Sequence, residues 1–185
     1  MVIFLKKGES TKFTRKIPNT IYVSKHRNPY TNLHYCMEQL LLTSEHFMKE
    51  ALKEAQKAFA ANEVPVGAVI VYKQQIIARG HNLTERLNDV TAHAEMQAFT
   101  SAANFIGGKY LSDCTLYVTL EPCTMCAGAA FWTQVSKIVY GASDKKRGFS
   151  LLSNSVLHPK TTVESGILAD ECADLLSKFF AQKRD

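Results

Sequence analysis

No stretch of the 185-residue chain approaches the roughly 18 consecutive apolar residues that a membrane span requires, which excludes an integral membrane protein. A secretory signal is not expected either. Met1–Leu5 is apolar, but Lys6 and Lys7 end the run, where such a peptide carries its charges first and a longer apolar stretch after them. There is no internal repeat, low-complexity tract or lipidation motif. Acidic residues are nearly absent from the first 36 positions: one of 17 Asp and Glu falls there, beside seven of 22 Lys and Arg. The rest of the chain carries 15 basic against 16 acidic residues, so the net charge of +5 resides in the N-terminal stretch. A main domain that binds an anionic polymer must therefore use a local patch. The five cysteines, odd in number, are not a disulfide framework. In a chain without export signals, the close pair Cys123 and Cys126 points to metal or redox chemistry.

What is present is an ordinary globular balance, 46% hydrophobic and 21% charged, which excludes a disordered or fibrous protein. The length suits one domain with a short appendage. Residues 1–36 show no sustained period beyond one short strand expected at 17–24. They are read as a basic N-terminal extension, either disordered or lying ahead of a translation start at Met37. Residues 37–185 form the main domain.

A helix is expected over 45–61, capped by Ser44, with Met48, Leu52, Ala55 and Phe59 in one apolar stripe. The run 66–72 reads as a buried strand, and Lys73-Gln74-Gln75 turns it into a second strand at 76–80. A helix over 92–105 is closed by Gly107-Gly108. A strand at 115–120 leads to a helix over 123–133, with Pro122 in its first turn. Then come a strand at 137–140, a loop of about twenty residues of the length that often carries function, and a strand at 161–164. The last helix covers 169–183, with Cys172, Leu175, Leu176, Phe179 and Phe180 on one face. This order predicts an α/β fold, a mixed five-stranded sheet between helices in three α-β-α layers.

The residues that carry chemistry are His93-Ala94-Glu95 and Pro122-Cys123-Thr124-Met125-Cys126. One imidazole and two thiolates suit zinc, and three ligands leave the fourth tetrahedral position open to water. His93 and Cys123 each stand near a helix start, where the positive end of the dipole helps keep thiols ionised. Spacing of i and i+3 puts both sulfurs on one face of a turn. Glu95 could close the site as a fourth ligand. The catalytic role is preferred, because an activated water needs a proton acceptor and a leaving amine needs a donor. Cys114 would be carried away from the site by its strand and reads as a buried apolar thiol. Cys172 fits the core face of the last helix.

The paired motifs match the H-x-E…P-C-x-x-C pattern of the zinc deaminases. From His46 onward the chain resembles the bacterial tRNA adenosine deaminases, the TadA family, in NEVPVGAVIV (62–71), ARGHN (78–82), TAHAEMQA (91–98), LYVTLEPCTMCAGA (116–129), IVYGASDKKRG (138–148) and GILADECADLLSKFF (166–180). The resemblance implies a cytidine-deaminase-like fold, one Zn2+ per subunit, a cytoplasmic homodimer, and hydrolytic deamination of adenosine to inosine at the wobble position (34) of tRNA. It implies His93, Cys123 and Cys126 as zinc ligands and Glu95 as the proton shuttle. It also implies that Asn82 hydrogen-bonds the flipped base beside the backbone of Ala94, with Asp144 and Lys146 near the RNA strand of the anticodon stem-loop.

The chain departs from the family pattern in the segment FSLLSNSVLHPKTTV (149–163), which lacks an Asn-His pair, and in Asp89-Val90, where Pro usually follows the aspartate. Lys145, Lys146, Arg147 and Lys160, with Lys183 and Arg184, are the expected backbone-binding patch. The alternative within enzymes is a small-molecule deaminase acting on guanine, cytosine or a free nucleoside, for which Trp132 could be argued. A structural zinc protein without turnover would have no need of Glu95.

Overall fold

A computed structural model describes residues 42–152 and 155–184, all within one unit, Gln39–Asp185. The strand expected at 17–24 and the extension 1–36 lie outside the described residues. The elements follow the order α1 (Ser44–Ala60), β1 (Gly67–Tyr72), β2 (Gln75–His81), α2 (Ala94–Ile106), β3 (Cys114–Leu120), α3 (Thr124–Thr133), β4 (Lys137–Ala142), β5 (Thr162–Ser165) and α4 (Ala169–Gln182). A single 3-10 turn, Phe149–Leu151, interrupts the long loop between β4 and β5.

The sheet has the order β2-β1-β3-β4-β5. β1 is antiparallel to both β2 and β3, whereas β3–β4 and β4–β5 are parallel. The short hairpin can join only antiparallel strands, and the crossover through α3 permits a parallel pair. The expected mixed five-stranded sheet is therefore present. Lys73 and Gln74 both have positive φ, 47° and 64°, the geometry that matches the twist of a two-residue hairpin. Gln75 already pairs with Tyr72, so the turn is one residue shorter than expected.

Both faces of the sheet are covered, which is why the central strands read as unbroken apolar runs. Ala68, Ile70, Leu116, Val118, Ile138 and Tyr140 pack in one cluster with Ala94, Ala98, Phe99 and Ala102 of α2 and Ala127 and Ala130 of α3. Val69, Val71, Tyr117 and Val139 face the other way, against Phe47, Met48 and Ala51 of α1 and Cys172 of α4. Each fully buried Val, Ile or Leu contributes about 1.5–3 kcal/mol relative to exposure. These are the three expected layers.

Three local expectations change. The cap of α1 is Thr43, not Ser44: Thr43 is extended and its hydroxyl accepts the His46 N–H at 3.3 Å. Pro122 precedes the cap of α3 rather than entering its first turn, because Cys123 itself holds the extended cap conformation. Phe180 is 48% exposed and does not join the core, although Cys172 and Phe179 on the same helix do.

Candidate active site

The site lies where two helices begin. His93 is the cap residue of α2 and Cys123 that of α3, and neither makes a side-chain capping hydrogen bond. Residues that cap helices normally spend their side chains on the free amides of the first turn. Here both side chains are released and meet each other. His93 Nδ1 lies 3.7 Å from Cys123 Sγ and 3.5 Å from Cys126 Sγ. The i and i+3 spacing brings Cys126, one turn into α3, onto the same side as Cys123.

These separations can be tested against zinc. Ligand lengths of about 2.3 Å to sulfur and about 2.0–2.1 Å to nitrogen at a tetrahedral angle give a sulfur–nitrogen edge of about 3.5 Å. The observed edges match, so the donor set fits a tetrahedral divalent ion without rearrangement. Among the described residues, His93, Cys123 and Cys126 form the only such cluster, and Glu95 stands outside it. The geometry therefore favours an open three-donor site. Cys114 is fully buried on β3, where burial pushes its thiol up to about 11.

The electrostatics suit the same role. A hydrogen bond from Cys126 lowers Cys123 to about 4, with His93 adding to it against the cost of burial. Cys126 is pushed up by the same shared bond and by burial. The contact with Cys123 raises His93. Glu95, in the first turn of α2, is 3% exposed, and burial raises its carboxyl above the usual range. A carboxyl whose neutral form is favoured in this way can hand a proton on once it has accepted one.

A cavity of about 620 Å³ opens over this floor. His93, Glu95, Cys123, Asn82, Asp144 and Lys146 all line it. Asn82 leaves the end of β2 and is buried. Its Oδ1 accepts the Ala94 N–H at 3.0 Å, so the group it offers the cavity is its NH2. Ala94 stands behind the wall, fully buried, with its amide committed to Asn82. Gly80 makes this possible, because a Cβ there would collide with the Ala94 carbonyl oxygen. Asp144 Oδ1 accepts the amides of Lys146 and Arg147 at 2.8 and 3.1 Å, which turns the loop so that both cations border the cavity. The other expected patch residues, Lys145, Lys160, Lys183 and Arg184, do not line it.

Several lining residues carry no sequence mark. Leu176 and Phe180 of α4 form an apolar wall with Val64, Val66 and Leu120. Glu121 is 3% exposed and takes backbone amides from the β4–β5 loop; Glu63, 1% exposed and not part of the lining, accepts the Thr84 hydroxyl and the Glu85 and Arg86 amides. Trp132 is 76% exposed on α3 and lies outside the cavity.

Comparison with known proteins follows the same lines. The sequence profile described as the cytidine and deoxycytidylate deaminase zinc-binding region matches residues 42–142. A tRNA-specific adenosine deaminase of Bacillus subtilis strain 168 is 48% identical over 145 residues, covering 76% of this chain and 90% of that protein. A solved structure from work on A-to-I editing by tRNA:A34 deaminases at the wobble position is similar with a TM-score of 0.67 and 43% identity, over 70% of this chain and 98% of the other. A guanine deaminase from Nitrosomonas europaea gives a TM-score of 0.65 at 26% identity, over 76% of this chain and 86% of that one.

Proposed function

The chain belongs to the zinc-binding cytidine and deoxycytidylate deaminase family and, within it, to the tRNA-specific adenosine deaminases, and from that premise we propose that it deaminates adenosine 34 of tRNA to inosine by hydrolysis. The observation that carries the reading is the placement of the buried Glu95 carboxyl on the floor of the cavity, beside a three-donor set that fits zinc.

His93, Cys123 and Cys126 would hold the metal. Bound there, zinc supplies the Lewis acidity that brings a water molecule's pKa toward neutrality. The anticodon base swings out of its stack into the cavity. Asn82 donates from its NH2 to an acceptor on the ring and so fixes the base's orientation. Glu95 takes a proton from the attacking water and delivers it to the base. Glu95 then carries the remaining hydroxyl proton to the amino group, the C6–N bond breaks as the C6 carbonyl forms, and ammonia leaves. Burial raises the Glu95 carboxyl, which makes it a competent acid for the second half of that cycle.

Lys146 and Arg147 neutralise the RNA backbone at the cavity mouth, and the exposed ring of Phe180 offers a stacking surface to an unpaired base. The enzyme acts as a cytoplasmic homodimer. Trp132, edge-on to Phe131 at 5.5 Å on the outer face of α3, supplies an exposed aromatic surface for that contact. Among the described residues no helix is long and apolar enough to cross a membrane. The deaminase domain is 37–185, and residues 1–36 are dispensable for turnover, since every cavity residue among the described ones and every matched motif lies beyond them.

The test is a side-by-side assay of the zinc-loaded protein on an anticodon stem-loop, adenosine, guanine and cytidine. Inosine in the stem-loop with little action on the free compounds is the expected result. Higher catalytic efficiency on guanine or cytidine would transfer the assignment to a small-molecule deaminase.

A further inference from the structure

We infer that Glu121 is a positioning residue that pre-sets the RNA-binding loop of the cavity, an inference that rests on the tRNA reading above. Glu121 ends β3, directly before Pro122-Cys123, and is 3% exposed. None of the ion pairs among the described residues includes it. A buried carboxylate without a cation must find donors for its oxygens. Glu121 finds them on the backbone of one loop. Oε2 accepts the Asp144 N–H at 3.1 Å and Oε1 accepts the Ser150 N–H at 3.0 Å.

The two bonds grip the loop at either end of a short segment, and everything between them is fixed in consequence. Within it Gly148 N–H donates to the Asp144 carbonyl at 3.0 Å, and Phe149 N–H donates to the Pro122 carbonyl at 3.0 Å. A Cβ on Gly148 would run into the Glu121 carboxyl carbon, so the loop backbone lies directly on the carboxylate. Lys146 and Arg147 sit inside the gripped segment and border the cavity.

A carboxylate is not needed to finish β3 or to fill its volume. Its two lone-pair acceptors are spent on the loop that carries the cations. Without them the loop must be ordered each time RNA binds, and that entropy is subtracted from affinity. His93 and Glu95 stand at the start of α2, and Cys123 and Cys126 at the start of α3, where Cys123 also bridges Gly148 of the loop, so zinc content is the control that separates a loosened loop from a disturbed metal site. The expected signature is a raised KM with an unchanged kcat.

The test uses the full, zinc-loaded chain and the variants Glu121→Gln and Gly148→Ala. The first weakens the grip, and the second pushes the loop off an intact carboxylate. Zinc content, thermal midpoint, kcat and KM on the stem-loop are measured, with fluorescence anisotropy of labelled stem-loop as a binding readout. Both variants should keep zinc and kcat while KM and the anisotropy Kd rise roughly five- to tenfold. Lys146→Ala should cost less in the Glu121→Gln background than alone, because a loosened loop has already lost part of what that cation gave. Wild-type KM in folded Glu121→Gln, a loss of kcat together with zinc, or a fully additive effect of Lys146→Ala would each overturn the proposal. Should Glu121→Gln not fold, Gly148→Ala decides alone. A wild-type protein that deaminates guanine and neither binds nor edits the stem-loop would overturn the tRNA reading and the proposal with it, whereas an RNA-active wild type with indifferent variants overturns the proposal only.

Discussion

Asn82 caps a helix it does not belong to: its side-chain oxygen takes the N–H of Ala94, the first residue of α2, at 3.0 Å. His93 is thereby freed from the capping that its position would ordinarily demand, and Asn82 is left presenting donors only. Asn82→Asp keeps the acceptor for Ala94 and replaces the NH2 with oxygen. It should retain fold and zinc and lose about 100-fold or more in kcat/KM, since a site built to hydrogen-bond its substrate is sensitive to the loss of that partner. Asn82→Ala should in addition lower stability by about 1–3 kcal/mol, because the buried Ala94 amide is left unpaired. Thermal melts with stem-loop kinetics separate the two effects.

Cys123→Ala and Cys126→Ala should each reduce bound metal from about one ion per chain to near zero, because two donors no longer hold a tetrahedral site. Glu95→Gln should keep the metal and lose about 10²–10⁴ in kcat. Metal analysis and single-turnover kinetics on the same preparations check both. Loss of metal in Glu95→Gln would make Glu95 a ligand and end its assignment as proton shuttle.

Glu63 makes stability depend on pH. Burial pushes its carboxyl up, but the amides of Arg86 and Glu85 and the Thr84 hydroxyl together outweigh that and hold its pKa below the ordinary 4.5. A depressed folded-state pKa contributes stability that is present above the unfolded value and is lost as pH falls through the folded one. Glu63→Gln should therefore be less stable than wild type at pH 7, by about 1–3 kcal/mol. The difference should shrink below about pH 4.5. Urea melts at several pH values measure it, and a constant gap at all pH values would contradict the assignment.

Activity on the stem-loop below saturation should fall as salt rises, because Lys146 and Arg147 displace counterions from the backbone. Lys146→Glu should weaken RNA use and flatten the salt slope by about one unit without changing zinc content. Phe180→Ala should lower kcat/KM on the stem-loop by about 5–100-fold, through the loss of about 1–3 kcal/mol of base stacking. Turnover of any free base should respond to neither salt nor these two substitutions.

The sequence made the sheet legible for a physical reason. Strands covered on both faces read as short apolar runs, and the two-residue turn at Lys73-Gln74 is short enough to force an antiparallel pair. The meeting of His93, Cys123 and Cys126 at one point was legible because a shared metal would need these residue types at fixed spacing. Phe180 was not, because a helical stripe marks which residues leave water and says nothing about whether they meet a core or a cavity rim. Glu63 and Glu121 were silent because their partners are backbone amides more than twenty positions away, which any residue type supplies. The cap of α1 fell on Thr43 rather than Ser44 because adjacent hydroxyl residues are equivalent to a pattern and differ only in φ and ψ.

β3 pairs antiparallel with β1 and parallel with β4, then runs through Glu121 and Pro122 straight into Cys123. The strand is in effect a ruler, and its zero mark is set by neighbours on both sides. Sliding it by one residue would turn Leu116 and Val118 to the opposite face and carry the sulfurs some 3.3 Å along the sheet. The imidazole, delivered separately by α2, would not follow. Metal capture is thus a readout of strand registration: a chain that has collapsed with its central strand misaligned can be compact and helical and still be unable to bring a nitrogen and two sulfurs to one point.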